Sequence, residues 1–224
     1  RMSRGLGDVY KRQLLPKAFA VGVRIEHPRE LIDRSQYGEF ASHPRLGAAE
    51  YHLADKAGNR GVYSFCMCPG GQVIAAASEA GGVCTNGMSV YARDGQNANA
   101  ALLVDVRTQD FPDAHPLSGL TLQRQWEQAA FAAGGGDYRA PAQRVEDFLH
   151  DRASRALGDV TPTYRPGVTM ADLRAVLPAY AAAGLKGGIQ IFARQLRGFD
   201  HPDAVLTGVE ARSSSPCLLY TSPS

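Results

Sequence analysis

The chain has 224 residues, of which 44% are hydrophobic and 21% are charged, and its formal net charge is +2 at pH 7. With 24 Gly, 13 Pro and 4 Cys, this composition excludes a disordered or collagen-like chain and a disulfide scaffold, and so few cysteines indicate a reducing compartment. No apolar run reaches the roughly 20 residues of a membrane helix, and the N-terminus lacks a secretory signal, so we expect a cytoplasmic globular protein.

The two ends of the chain differ in character from the rest. Residues 1–13 (RMSRGLGDVYKRQ) and 217–224 (CLLYTSPS) have no useful periodicity and resemble translated sequencing-adapter read-through. The first segment carries four basic residues and one acidic residue, so 20 basic and 21 acidic residues remain without the two tails, a net charge of −1. The basic balance therefore comes from the N-terminal tail. We interpret residues 14–216 as a piece of a longer gene product.

The first predicted elements are a strand and a short helix. Residues 18–25 (AFAVGVRI) are apolar or small on both faces, a pattern typical of a buried strand. His27-Pro28 ends this strand, because proline cannot donate to a ladder, and Pro28 suits the first turn of a helix through Leu31 and Ile32.

Residues 45–107 have the character of a β-rich block. Gly58-Asn59, Pro69-Gly70-Gly71 and Asn86-Gly87 separate short runs and predict antiparallel hairpins. The Asn-Gly pair is the strongest of these signals, because a type I′ turn needs positive φ at both central residues. Residues 101–106 (ALLVDV) predict a further strand.

Beyond Pro116 the periodicity changes to that of helices. The predicted elements are a helix from Leu122 to Ala133 with an exit at Gly134–Gly136, a short helix over 141–150, a helix capped by Thr169 and Asp172 that runs to Leu177, a helix after Gly187-Gly188 through Leu196, and a strand over 204–211. The order predicts an α+β fold, in which an antiparallel β block and a helical block are flanked by two strands. We expect the flanking segments 14–32 and 204–216 to belong to one sheet, with 33–203 inserted between them.

The most unusual local sequence is FCMCPGG at residues 65–71. On a strand, Cys66 and Cys68 would share a face, and Pro69-Gly70 suits positions i+1 and i+2 of a type II turn. The two thiols could pack in the core, lie near a bound cofactor, or take part in redox or metal chemistry. A C-x-C pair without a second pair of ligands is a weak metal signal.

Two other segments could contact a ligand. Residues 86–89 (NGMS) could present an Asn side chain and backbone amides, or simply form a hairpin turn. Arg212 to Ser215, directly after a strand, could hold an anionic or carbonyl group, or form a solvated loop. The sequence has no G-x-G-x-x-G, Walker A or H-E-x-x-H motif, and its six histidines show no paired ligand spacing.

Several segments together resemble one family. They are PKAFAVGVRIE at 16–26, FCMCPGG at 65–71, NGMS at 86–89, PAQ at 141–143 and VLTGVEARSSSP at 205–216. In combination they resemble the bacterial FAD-dependent dehydrogenases, also termed NAD(P)/FAD-dependent oxidoreductases, over essentially all of residues 14–216.

This resemblance implies a parent protein with a Rossmann-like FAD domain in two or more chain segments. The glycine fingerprint for the FAD pyrophosphate would precede this piece, and a second glycine-rich flavin-contacting segment would follow Pro216. Residues 33–203 would then be an inserted substrate or cap domain, flanked by FAD-domain strands in 14–32 and 204–216. The implied partners are a small-molecule substrate and NAD(P)H or another electron donor or acceptor, with neither nucleic acid nor membrane, and the fragment alone would be inactive.

The resemblance also implies which residues approach the flavin or substrate. They are Cys66, Cys68, Pro69, Gly70 and Gly71 as a close-packed turn at the ring, and Arg212, Ser213 and Ser214 as a donor cluster. No general acid or base and no metal ligand is assigned, because hydride chemistry belongs to the isoalloxazine.

The sequence is also compatible with two functions other than that of a flavin enzyme. The first is a non-catalytic binding module, in which the hairpins recognise a macromolecule or a metabolite. No basic and aromatic cluster supports nucleic acid as its target. The second is a thiol redox or metal protein that uses Cys66, Cys68 and Cys84.

Overall fold

The computed structural model describes residues 15–211. In chain order, its strands are β1 (Phe19–Pro28), β2 (Ala54–Ala57), β3 (Arg60–Cys68), β4 (Gly71–Ala75), β5 (Thr85–Ser89), β6 (Asn97–Val106), β7 (Ala140–Arg144), β8 (Val168–Met170) and β9 (Val205–Glu210). Its α-helices are α1 (Arg29–Tyr37), α2 (Ser118–Gly134), α3 (Val145–Leu149) and α4 (Ala179–Gln195), and short 3-10 helices lie at Gly38–Phe40, Thr108–Asp110 and Leu173–Ala175. The predicted α+β class is confirmed.

Most strands belong to one sheet, which is antiparallel except at one edge. Its seven strands are ordered β2-β3-β6-β1-β9-β7-β8, and β7 and β8 are the parallel pair. Strands β4 and β5 form a separate two-stranded sheet. The long central strands β1 and β6 pair from Phe19 opposite Val106 to Pro28 opposite Asn97.

One face of the large sheet is apolar and is covered by helices. Helix α4 buries Leu185, Ile189 and Phe192 against this face. The helix approaches the strands closely because three of its residues are glycines, Gly184, Gly187 and Gly188. A Cβ at Gly184 would lie 2.9 Å from a methyl of Val104, and one at Gly188 would lie 2.5 Å from a methyl of Val62. The predicted start of this helix after Gly187-Gly188 is therefore wrong, because α4 begins at Ala179 and contains both glycines, and close packing on the sheet explains them.

The opposite face of the large sheet carries buried polar side chains. The set comprises Arg24 and Glu26 on β1, Asn97 and Asn99 on β6, and Thr207 on β9. Register places them on one face, because Arg24 lies opposite Thr207, Glu26 opposite Asn99 and Pro28 opposite Asn97. The small β4–β5 sheet lies over this face, and glycine at position 87 lets β5 sit directly on the guanidinium of Arg24.

The first and last described strands are neighbours in the sheet. Strand β1 pairs antiparallel with β9, and Gly22 lies opposite Glu210. On its other side β1 pairs over its full length with β6, which lies inside the segment predicted to be inserted. The division of the chain at residues 32/33 and 203/204 stays a prediction.

The sequence signals of the β block were correct at some turns and wrong at others. The buried first strand, the helix after Pro28, the hairpin at Gly58-Asn59 and the strand over 101–106 are confirmed. The predicted hairpin at 69–71 is wrong, because β3 pairs with β2 and β6 whereas β4 pairs with β5. The predicted turn at Asn86-Gly87 is also wrong, since both residues lie inside β5 and face Ile74 and Val73 of β4.

In the helical block, the predicted helix over 122–133 and its glycine exit are confirmed, and Gly135 has φ +111° as its C-cap. The helix predicted over 141–150 is wrong in its first half, because residues 140–144 complete the sheet as β7 and α3 begins at Val145. Thr169 lies in β8 and caps no helix. Asp172 caps a 3-10 turn and not a longer helix, because Pro178 follows too soon. The strand predicted over 204–211 is confirmed as β9.

Acid is expected to destabilise the protein through His27. This side chain is fully buried, its Nε2 lies 2.7 Å from the carbonyl oxygen of Phe199, and burial lowers its pKa to about 4 from an ordinary 6.5. As the pH falls below 6.5, His27 is protonated in the unfolded chain but stays neutral in the folded chain. The free energy of unfolding therefore decreases progressively down to about pH 4, and the total decrease is about 3 kcal/mol.

Urea unfolding of the wild type and of His27→Gln from pH 7 to about pH 4 checks this effect. The substitution is expected to flatten the dependence of the unfolding free energy on pH. Equal pH dependence in the two proteins would contradict a role for His27.

Candidate functional site

Arg24 is the centre of the polar face, and its five N–H groups all have partners in the protein. Its Nε and Nη2 donate to the two carboxylate oxygens of Glu210 at 2.6 and 3.2 Å. Its Nη1 donates to the carbonyl oxygen of Cys66 at 2.8 Å and to Oδ1 of Asn99 at 3.2 Å, and Nη2 also donates to Oδ1 of Asn86 at 2.8 Å. One side chain thus joins β1, β3, β5, β6 and β9.

The ion pair of Arg24 and Glu210 is buried, with side-chain exposures of 0% and 7%. Burial opposes the charge of Arg24, but the adjacent carboxylate holds the pKa of the guanidinium above its usual value. Burial raises the pKa of Glu210, and Arg24 offsets part of that rise. A charge pair this deep holds its geometry, because movement of either partner would leave the other buried without a charge partner.

A second buried carboxylate lies one step along β1. Oε1 of Glu26 accepts hydrogen bonds from the hydroxyl of Thr163 at 2.6 Å and from Nδ2 of Asn97 at 3.1 Å. Burial raises the pKa of Glu26, although these hydrogen bonds lower it in part. The hydroxyl of Thr163 also accepts from the backbone N–H of Val73 at 2.8 Å, so this cluster fastens β4 and the segment around Thr163 to the sheet.

The predicted C-x-C pair lies at an irregularity in β3. The register with β6 shifts between Phe65 and Cys68, and Cys66 has φ +47°. Cys66 is exposed, whereas Cys68 is buried and donates its Sγ–H to the carbonyl oxygen of Cys66 at 3.3 Å. The expected shared face is wrong, because the bulge breaks the alternation of side chains.

The thiols differ in environment as well as in exposure. Burial raises the pKa of the Cys68 thiol, which disfavours the reactive thiolate. Cys84 is buried too. Within residues 15–211, no group of three or more His, Cys, Asp and Glu side chains could hold a metal ion.

The turn after Cys68 is packed against the protein's own backbone. Pro69, Gly70 and Gly71 are buried, and Gly70 has the positive φ of +55° that position i+2 of a type II turn requires. A Cβ at Gly70 would overlap the carbonyl group of Arg93, and one at Gly71 would lie 2.6 Å from the carbonyl oxygen of Met88. These glycines are therefore explained by chain packing.

The other predicted site residues, Arg212, Ser213 and Ser214, lie outside the described residues. The strand that precedes them ends at Glu210, whose carboxylate binds Arg24, and Arg24 in turn binds the Cys66 carbonyl. The end of β9 therefore lies one side chain away from the C-x-C bulge.

Arg24, Glu26, Asn99 and Glu210 were missed as site residues by the sequence reasoning. The signal was available in VRIEH at 23–27, where Arg and Glu interrupt a run otherwise typical of a buried strand. Charged residues are almost never fully buried unless they are paired, so this interruption indicates partners elsewhere in the chain. The partners of Arg24 lie 42 to 186 residues away along the chain, so the residues around position 24 could not predict which ones they are.

Each helix in the part of the chain that the structure describes is too short or too polar to cross a bilayer.

Comparison with known proteins identifies relatives of the chain. The family described as "FAD-dependent protein, C-terminal domain-like" matches residues 18–213. A protein of Clostridium beijerinckii that carries the name "Uncharacterized protein" is 52% identical over 205 residues, which cover 91% of this chain. The chain spans 38% of the length of that relative.

Proposed function

Because the chain belongs to the FAD-dependent protein, C-terminal domain-like family, we propose that it is a piece of an FAD-dependent oxidoreductase, specifically a dehydrogenase. In this proposal the described fold packs against the flavin-binding part of a longer protein and shapes the cavity for a small-molecule substrate. NAD(P)H or another electron donor or acceptor completes the reaction. The proposed compartment is the cytoplasm.

The observation that carries the proposal is the hydrogen bonding of Arg24 to two segments of the family resemblance. Its guanidinium binds the carbonyl oxygen of Cys66 at 2.8 Å and Oδ1 of Asn86 at 2.8 Å, and so fixes FCMCPGG and NGMS relative to each other. The same guanidinium binds Glu210 next to the predicted Arg212 to Ser214 segment. A rigid arrangement of this kind is what a protein supplies to a cofactor that performs the chemistry itself.

The described residues do not fit a complete FAD by themselves. Binding of the pyrophosphate needs a glycine-rich turn that leads into a helix N-terminus. In residues 15–211, the helices of eight residues or more begin after Pro28, Leu117 and Pro178, and none of these three starts follows a glycine-rich turn. Arg24 has no N–H left for a ligand, and the space beside Gly70 is filled by the chain itself. The cofactor would therefore be held mainly by the remainder of the longer protein.

Within this proposal, Cys66, Cys68 and the turn from Pro69 to Gly71 remain candidates for the side of the molecule that approaches the flavin. Cys66 is the exposed member of this group. Arg212, Ser213 and Ser214 remain candidates for binding an anionic substrate group or a ring carbonyl. No residue of the chain is assigned as a general acid or base.

Expression of the longer protein, with its own sequence on both sides of residues 14–216, tests the proposal. The purified product is expected to be yellow, to release FAD on denaturation, and to be reduced by NAD(P)H or another donor. Cys66→Ser, Cys68→Ser and Arg212→Ala are expected to alter the flavin spectrum or the turnover. A colourless product that does not bind added FAD would contradict the proposal and favour a non-catalytic binding module. Unchanged spectra and rates in all three variants would remove the site assignments alone.

A further inference from the structure

We propose that the remainder of the longer polypeptide docks on one exposed corner of this fold, formed by Phe65 and Cys66 on the β3 bulge and by Met88, Val90 and Tyr91 at the end of β5. This set is called the Cys66 corner. The inference rests on the proposed function, because the docked part would be the part that binds FAD.

The Cys66 corner exposes several large apolar side chains. Phe65 is 53% exposed, Met88 58% and Val90 47%, and Tyr91 is fully exposed. Single exposed apolar residues are ordinary, but several of them on two segments held together by Arg24 indicate a protein contact. Aromatic residues and methionine are also the types enriched in the centres of interfaces.

The corner is rigid beneath its exposed surface. Arg24 holds the Cys66 carbonyl and the Asn86 side chain, and Gly87 between Asn86 and Met88 rests on the same guanidinium. The Ser89 hydroxyl donates to the carbonyl oxygen of Pro69 at 3.2 Å and fastens the two segments again. A preorganised apolar surface loses little conformational entropy when a partner covers it.

The position of the chain ends identifies the partner. The relative from Clostridium beijerinckii is longer than the matched segment, which spans 38% of it. Gly22 of β1 and Glu210 of β9 lie opposite each other, so the chain enters and leaves the sheet side by side. Glu210 is joined to Cys66 of the corner through Arg24. Sequence that continues from β9 therefore starts one side chain away from Cys66.

Thiol labelling of the longer protein in its native state tests the docking, because Cys66 is the exposed cysteine of the described part. A maleimide reagent is applied, the modified cysteines are identified by mass spectrometry, and flavin absorbance is recorded on the same sample. The reference is a Phe40→Cys variant, since Phe40 is 59% exposed and lies on the 3-10 helix after α1, outside the corner. Cys66 is expected to react at least about tenfold more slowly than the thiol of the Phe40→Cys variant, and to react freely after unfolding in urea.

Charge introduced at the corner provides a second measurement. Met88→Glu is expected to raise the labelling rate of Cys66 by about tenfold, because a carboxylate in an apolar contact opposes docking. Phe40→Glu is the matched control and is expected to leave the rate unchanged.

Equal labelling of Cys66 and of the Phe40→Cys thiol would overturn the proposal. Protection that disappears on dilution would also overturn it, because the occupant would then be a second copy of the protein. The two proposals fail separately: a yellow protein with freely labelled Cys66 contradicts the docking alone, and a colourless protein with concentration-independent protection contradicts the flavin function alone.

Discussion

Replacement of Arg24 by methionine is expected to lower the free energy of unfolding by about 3–5 kcal/mol. The side chain is fully buried, and its removal leaves the buried carboxylate of Glu210 without its charge partner. It also removes the donors to Cys66, Asn86 and Asn99. Urea unfolding followed by circular dichroism measures the loss.

An exposed ion pair provides the control for this substitution. Arg34 and Glu30 form an i,i+4 pair on α1, with side-chain exposures of 75% and 74%. Arg34→Met is expected to change the unfolding free energy by less than about 0.5 kcal/mol, because solvent screens the pair. The double variant Arg24→Met, Glu210→Leu is expected to recover part of the loss, since it no longer buries an unpaired charge. A loss of less than about 1 kcal/mol for Arg24→Met would contradict the central role of this residue.

Gly70→Ala and Gly58→Ala are expected to differ strongly in stability although their backbones are alike. Gly70 has φ +55° and Gly58 has φ +64°, so alanine is strained by about 1–2 kcal/mol at either position. A Cβ at Gly58 would meet nothing within 4 Å, whereas one at Gly70 would overlap the backbone of Arg93. Gly70→Ala is therefore expected to cost at least about 2 kcal/mol more than Gly58→Ala, because backbone cannot move aside as a flexible side chain can.

Thermal unfolding of the two variants in parallel gives this difference, and it also bears on the predicted flavin-facing role of Gly70. If both substitutions cost the same, the packing of Gly70 against Arg93 contributes nothing beyond backbone strain. A reduced flavin content of Gly70→Ala in the longer protein, without loss of stability, would instead favour direct contact with the cofactor.

Local signals predicted those elements whose residues interact mainly with near neighbours in sequence. The stripe from Leu122 to Ala133 and its glycine exit produced α2, because helix formation and C-capping depend on residues three to four apart. The Gly58-Asn59 turn joins strands that pair with each other immediately, so its turn propensity decided the hairpin. In such segments tertiary structure agrees with local preference.

Asn86-Gly87 shows how a correct propensity can give the wrong structure. The Asn-Gly pair favours a hairpin turn. Strand β5 nevertheless continues through both residues, because β5 pairs with β4 along this stretch. Glycine is needed there for contact with Arg24 on another sheet, and the Asn side chain accepts a hydrogen bond from the same guanidinium. Neither requirement is visible in the residues around position 86.

The sequence by itself determined the class of the fold, the buried first and last strands, the helix predicted from Leu122 to Ala133 and the unusual C-x-C segment. Tertiary structure decided which strands pair, which face of the sheet is polar, and that Arg24 joins the C-x-C segment to the end of β9. The physical reason is the range of the interactions: helix caps and turns act over a few residues, whereas the partners of Arg24 are 42 to 186 residues away along the chain. A buried charge indicates that partners must exist, and folding alone decides where they are.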